Sequence, residues 1–167
     1  MVRQKEAKTT ALIIAVLTLI LSFIYIPDWT MIGVARDCPL AARIVYSLFH
    51  ASPIHAIINA WCLLSIVFIY EISIWRLLIA YIVAVVVPDF LLSEVPTVGL
   101  SCVCYFLLGT LIFEVRRKLY FISCIVLYIA VGFLFPSVNA VIHIYGYIVG
   151  LMVGLLNTPV SCFRLKK

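Results

Sequence analysis

Charge is what this chain has least of. Asp, Glu, Lys and Arg make up 11% of its residues, hydrophobic types 66%, and mean hydropathy is +1.24. A soluble domain carries about a quarter charged residues and could not hide this much apolar surface, so a soluble globular protein is excluded. A disulfide framework is missing too. The six cysteines (Cys38, Cys62, Cys102, Cys104, Cys124, Cys162) are scattered, mostly inside apolar blocks, and read as free buried thiols. Cys102-Val103-Cys104 lacks a second ligand pair, so neither a metal site nor a cofactor is expected. The net charge of +5 raises nucleic acid as a partner, but in so apolar a chain the placement of the charges matters more than their sum.

What is present is a series of apolar blocks separated by short polar breaks. Residues 1–8 form a basic tail, with Arg3, Lys5 and Lys8. Thr9 to Ile26 is long enough to cross a hydrocarbon core, which takes roughly 17–25 residues. It is too long for a signal-peptide core and lacks an Ala-x-Ala exit, so it reads as a retained first span (9–26). Residues 28–49 form the longest connection, whose later part, Ala41 to Phe49, reads as an interfacial helix. Ser52-Pro53 then opens a second span (52–70), since Ser suits an N-cap and Pro the first helical position. Further spans are expected at about 77–90, 100–113, 119–135 and 138–156, followed by a basic tail over 158–167.

Six spans put both termini on one side. That side then holds Arg3, Lys5, Lys8, Arg76, Arg116, Arg117, Lys118, Arg164, Lys166 and Lys167, while the other holds only Arg36 and Arg43. The positive-inside rule therefore places both termini in the cytoplasm. With this topology the second, fourth and sixth spans run inward. His50, His55 and Asn59 lie at the outer end of the second, Ser101 at the outer end of the fourth, and His143 a few residues into the sixth. At 1.5 Å per residue the three sets share one depth. Polar residues are costly in lipid and face a bundle interior or a water cavity. Their convergence points to an active site in which Ser101 is a nucleophile and His143 its base.

Three motifs make the chain resemble the rhomboid intramembrane serine proteases over about residues 42–157. They are His50-Ala-Ser-Pro-Ile-His55-Ala-Ile-Ile-Asn59, like the family's HxxxxHxxxN; Gly99-Leu100-Ser101-Cys102, like its GxSG, with Tyr105 one turn later; and His143-Ile-Tyr-Gly146-Tyr-Ile-Val-Gly150, like its HxxGxxxG. Signatures of other intramembrane proteases (HExxH, GxGD, a Glu-Glu pair) are absent. The resemblance implies an all-α membrane protein, a six-transmembrane-helix bundle, in which a Ser101–His143 dyad cleaves a peptide bond in or next to the transmembrane segment of another membrane protein. It implies an oxyanion hole from His55, Asn59 and the Ser101 backbone N–H. It also implies substrates whose helix unwinds easily near the outer surface of a cell membrane. Minimal loops suggest a bacterial inner membrane.

The residue chemistry agrees with this. A serine hydroxyl is a poor nucleophile until a positioned base takes its proton. A dyad lacks the orienting carboxylate of a triad, and Tyr105, at i+4 from Ser101, could pack against the imidazole instead. His55 and Asn59, also four apart, can both donate from one helix face toward an oxyanion. Gly146 and Gly150 give the sixth span a smooth face for close approach to the fourth. His50 has two readings, structural or substrate-touching.

The sequence departs from the family at several points. Cys102 stands where the family usually has Gly, and Val98 where a second Gly is common. The Trp-Arg pair of the first loop is missing, with Arg43 alone nearby, and Val67 replaces the Gly one turn before Glu71. Two other functions are compatible with so apolar a chain. One is a catalytically silent rhomboid-like protein that binds membrane clients. The other is an unrelated six-span carrier, which would need polar residues along its whole depth; here the inner halves of the fourth and sixth spans read Leu107-Leu108 and Leu151-Met152.

Overall fold

A computed structural model of the chain describes residues 2–134 and 139–157. The expected stop at Pro136-Ser137, the break at Thr158-Pro159, the C-terminal basic tail and Cys162 lie outside the described residues.

Seven α-helices account for the described residues, with no named strand among them: α1 (Val2–Leu21), α2 (Leu40–Val45), α3 (Pro53–Ile69), α4 (Ile74–Val85), α5 (Ser101–Leu111), α6 (Lys118–Gly132) and α7 (Ala140–Asn157). Short 3-10 turns follow α2 at Tyr46–Leu48 and α4 by way of Pro88 at Asp89–Leu91.

α1 differs from the expected tail-plus-span. The basic stretch is itself helical from Val2, because Gln4, Lys5, Glu6, Ala7 and Lys8 are good helix formers without a breaker. The helix stops at Leu21, five residues before Ile26. There Ser22 turns its hydroxyl back onto the Leu19 carbonyl (2.7 Å), and the next N–H groups make i→i−3 bonds that tighten the last turn. Ala7, Ala11, Ala15 and Thr18 form the buried stripe of α1 and let it pack closely on α3. α3 begins as Ser52-Pro53 predicts, the Ser52 hydroxyl accepting the His55 N–H (3.2 Å).

α5 is the centre of the molecule. It is apolar all round, and Cys102, Val103, Cys104, Phe106, Leu107, Gly109, Thr110 and Leu111 are all buried. Its most extensive contact is with α7. The register is regular: Gly146 faces Cys102, Gly150 faces Phe106 and Gly154 faces Thr110. Both series rise together by four residues, so the two helices are parallel and their N-termini lie at the same end. A Cβ at Gly146 would lie 2.7 Å from the Cys102 carbonyl oxygen, so the backbones touch there. α6 is peripheral, with only Ile125 and Gly132 buried among its residues.

The two ends of the bundle differ in chemistry. At one end Gln4 donates to the Glu71 carboxylate (3.1 Å), Lys8 lies over the Phe68 ring and Arg76 pairs with Glu114 (2.8 Å). α1 is thus antiparallel to α3, and α4 to α5. At the other end the long connection over residues 22–52 is tied to the segment leading into α5. Val34 and Thr97 exchange backbone hydrogen bonds of 2.8 and 2.9 Å in an isolated bridge. The Arg36 N–H donates to the Ser93 carbonyl, and its side chain pairs with Glu94 (2.9 Å). Arg43 donates to the Val87 carbonyl (2.6 Å) and pairs with the Asp89 carboxylate. A Trp-Arg pair is thus absent, but Arg43 does bind the first loop to the α4–α5 connection.

No single described helix is long and apolar enough to cross a membrane by length and composition; the bent pair Leu40–Leu48 and Pro53–Ile69, at 82°, meets the test together. The six separate spans expected above are therefore not distinguished by helix length.

Candidate active site

The parallel register of α5 and α7 decides where Ser101 and His143 fall. Ser101 is the first residue of α5 and His143 lies in the first turn of α7. Ser101 Oγ and His143 Nε2 stand 2.8 Å apart. For Nε2 to accept the hydroxyl proton, the imidazole must carry its own proton on Nδ1. That Nδ1 is buried and has no partner among the described residues, so no carboxylate there orients the ring. A ring contact does so instead. Tyr105 stacks on His143, with centroids 4.4 Å apart and planes 19° from parallel. Tyr105 is one turn along α5 from Ser101, so the helix carrying the hydroxyl also carries the surface that holds the imidazole.

The approach to Ser101 is bent by Gly99, whose φ of +128° lies outside what other residues adopt comfortably. A Cβ there would also meet His55 Cε1 at 2.9 Å, so the His55 ring lies directly on the turn before Ser101. Asn59 is buried one turn further along α3. Its side-chain amide donates one N–H to the His55 carbonyl (3.2 Å), which leaves a second N–H for another acceptor. The first N–H groups of α5 have no intrahelical acceptor, a property of any helix start.

His50 is 3% exposed and acts on backbone. Its Nε2 accepts the Leu100 N–H (3.3 Å), and its ring meets that of His55 edge to face at 4.8 Å. Of the two readings of His50, this geometry is the structural one. Burial, and then the neighbouring His55, push its pKa down to about 4. The neutral imidazole that can accept from Leu100 is therefore the form present near pH 7.

Cys102 does not push α5 and α7 apart. Its thiol is buried, and it is the residue's carbonyl that faces Gly146 most closely. The free cysteines among the described residues are Cys38, Cys62, Cys102, Cys104 and Cys124, and no His/Cys/Asp/Glu group there could hold a metal.

A cleft of about 900 Å³ opens beside this cluster. Its walls are the start of α3 (Ser52, Ile54, His55, Ile58), the connection over residues 91–98, Phe133 after α6, and the start of α7 (Asn139, Ala140, Val141). None of the described lining residues is charged. Asn139 was not singled out in the sequence. An Asn immediately before an apolar helix is an N-cap signature that could have drawn attention to it, and its side-chain oxygen does accept the Ile142 N–H (3.3 Å).

A model of one protein family, the Rhomboid domain, matches residues 40–160, well over half of the chain. No curated protein and no solved structure matches.

Proposed function

The chain belongs to the rhomboid family, whose members are membrane proteins and include both intramembrane proteases and inactive forms, and from that membership we propose that this member is an active intramembrane serine endopeptidase. The observation that carries the proposal is the 2.8 Å approach of Ser101 Oγ to His143 Nε2 under the Tyr105 ring.

The chemistry proceeds in two stages. His143 Nε2 takes the proton of Ser101 as Oγ attacks the scissile carbonyl carbon. The Ser101 N–H, at the positive end of α5, and the side chains of His55 and Asn59 stabilise the oxyanion. His143 then returns the proton to the departing amine, leaving an acyl group on Oγ. Water attacks that ester with His143 again as base, releasing the second product and restoring the hydroxyl. The uncharged cleft beside His55 suits a stretch of apolar peptide drawn out of its helix. Such unwinding is required, because a helical peptide bond is shielded by its own hydrogen bonds.

We place α1, α3, α4, α5, α6 and α7 across a bilayer, with the Gln4–Glu71 end in the cytoplasm. α4 and α5, at 12 and 11 residues, are only about 16–18 Å long, short of a hydrocarbon core of about 30 Å. Non-helical backbone is tolerated at membrane depth where protein covers it. The connection between α4 and α5 meets that condition: Val87, Leu92 and Leu100 are buried, and the carbonyls of Val87, Ser93 and Thr97 all accept hydrogen bonds from the first loop. α2 and its 3-10 turn, set at 82° to α3, suit a position along the outer interface.

The test is proteolysis in liposomes. A single-span substrate with a helix-weakening segment near its outer end should be cut by the native chain and not by Ser101→Ala. Equal processing by both would overturn the proposal.

A further inference from the structure

We propose that Asn139 is a substrate-binding residue of this cleft: its side-chain oxygen caps α7 while its amide N–H₂ holds a backbone carbonyl of the substrate beside the dyad. This rests on the protease reading above and names a group that the dyad and the oxyanion donors do not include.

The geometry points to Asn139 in three steps. Its Oδ1 accepts the Ile142 N–H (3.3 Å), which fixes the side chain at the start of α7. Capping consumes only the acceptor of an amide, and the N–H₂ retains two donors. The residue is half-buried and lines the cleft. The position is also set relative to the chemistry, because Asn139 is four residues before His143 and so lies about one turn above it on the same helix.

The rest of the cleft gives these donors their value. Its described walls are mostly apolar (Ile54, Ile58, Leu91, Val95, Phe133, Val141), and no charged side chain lines them. The cleft's other polar side chains are those of Trp29, Ser52, His55, Ser93 and Thr97; the Ser52 hydroxyl is turned to the His55 N–H, which it accepts, and the Ser93 hydroxyl donates to the Val95 carbonyl. A peptide drawn into this cleft in extended form loses its helical hydrogen bonds and presents bare carbonyls. In apolar surroundings an unmatched carbonyl is costly. A side-chain amide held rigid by its own cap can meet one such carbonyl with little entropy cost. The donor therefore serves binding of the unwound peptide, and its loss should appear in KM and not in kcat.

The experiment must separate the cap from the donor. Asn139→Ser keeps the cap, since Ser and Asn are comparable at that position, but its shorter side chain cannot cap and reach a substrate carbonyl at once. Cleavage of the single-span substrate in liposomes should show KM raised about 3- to 10-fold, the range of one neutral hydrogen bond. The native kcat and thermal midpoint should be retained. A native KM in Asn139→Ser would overturn the proposal and leave Asn139 as a cap alone. If the Ser variant does not fold, Asn139→Asp replaces it: the carboxylate caps at least as well, matches the amide in size and has no donor, and a native KM there overturns the proposal equally. Labelling of the native chain by a fluorophosphonate keeps the two levels apart. A native chain that does not label removes the protease reading itself, whereas a chain that labels, with KM unmoved by either variant, removes only the role of Asn139.

Discussion

Gly146 lies against the backbone of Cys102, so closely that a Cβ at 146 would come within 2.7 Å of the Cys102 carbonyl oxygen and 3.2 Å of its sulfur. The distance between Ser101 and His143 depends on this contact. Ser101 is the first residue of α5 and His143 lies in the first turn of α7, so the separation of the two helices at 102 and 146 sets the separation of hydroxyl and imidazole. Gly146→Val should therefore destabilise the protein by about 1–3 kcal/mol, the range for overpacking a close contact. It should also move Nε2 out of reach of Oγ. Thermal unfolding in detergent and labelling with a fluorophosphonate check the two parts. A variant as stable and as reactive as the native chain would show that the helices can separate without consequence.

Tyr105 stacks on His143 through its ring, and the ring alone is used in the contact. Tyr105→Phe should retain fluorophosphonate labelling within about twofold. Tyr105→Ala should slow it by about 3- to 10-fold, since aromatic pairs are worth about 0.5–1.5 kcal/mol beyond burial and no described residue bonds the imidazole at Nδ1. Equal labelling rates in the two variants would separate the stack from reactivity.

The Arg43 side chain is 13% exposed and binds the Val87 carbonyl and the Asp89 carboxylate together. Arg43→Met should cost about 1–3 kcal/mol, because the Val87 carbonyl is left without this partner. Arg43→Lys should recover only part of that, since an ammonium cannot reproduce the planar fork of a guanidinium. Asp89→Asn should cost less than either, as that carboxylate is half-exposed. Unfolding midpoints of the three variants test the order.

His50 predicts a pH dependence of stability. Its pKa falls from 6.5 to about 4 on folding, so between those values the unfolded chain binds the extra proton and the folded chain does not. Stability should be full above about pH 6.5 and fall as pH drops toward 4. The loss reaches at most about 3 kcal/mol, from 1.36 kcal/mol per pH unit. His50→Gln, which keeps an acceptor for the Leu100 N–H, should remove this part of the slope. An unchanged slope in the variant would assign it to other groups.

The sequence carried the local features and missed the long-range ones. Ser52-Pro53 marked the start of α3 because a cap and a fixed φ act within three residues. Gly146 and Gly150 marked a close-packed face because small residues four apart share one side of a helix. By contrast, nothing periodic or local links Arg43 to Val87, Val34 to Thr97 or His50 to Leu100. Each joins the first loop, with its short helix α2, to the α4–α5 connection, and these meet only once α4 and α5 are packed. The bounds of α1 are not legible in hydropathy for another reason. Hydropathy separates the basic residues 1–8 from the apolar run after them, but the lysines, glutamate and glutamine there favour helix as strongly as the apolar residues do, so one helix runs through both. Asn59 is expected to donate toward an oxyanion, and the structure commits one of its two N–H donors to the His55 carbonyl, a bond that its position four residues along α3 does not by itself announce.

The most direct test of the dyad is fluorophosphonate labelling of the purified, folded protein in detergent, beside Ser101→Ala and His143→Ala. Covalent labelling of the native chain that is lost in both variants is the expected result, since only a serine activated by His143 displaces the leaving group at a useful rate. A folded native chain that takes no label, or a His143→Ala variant that labels as fast as the native chain, would contradict it and point to a rhomboid-family member that binds membrane clients without cutting them.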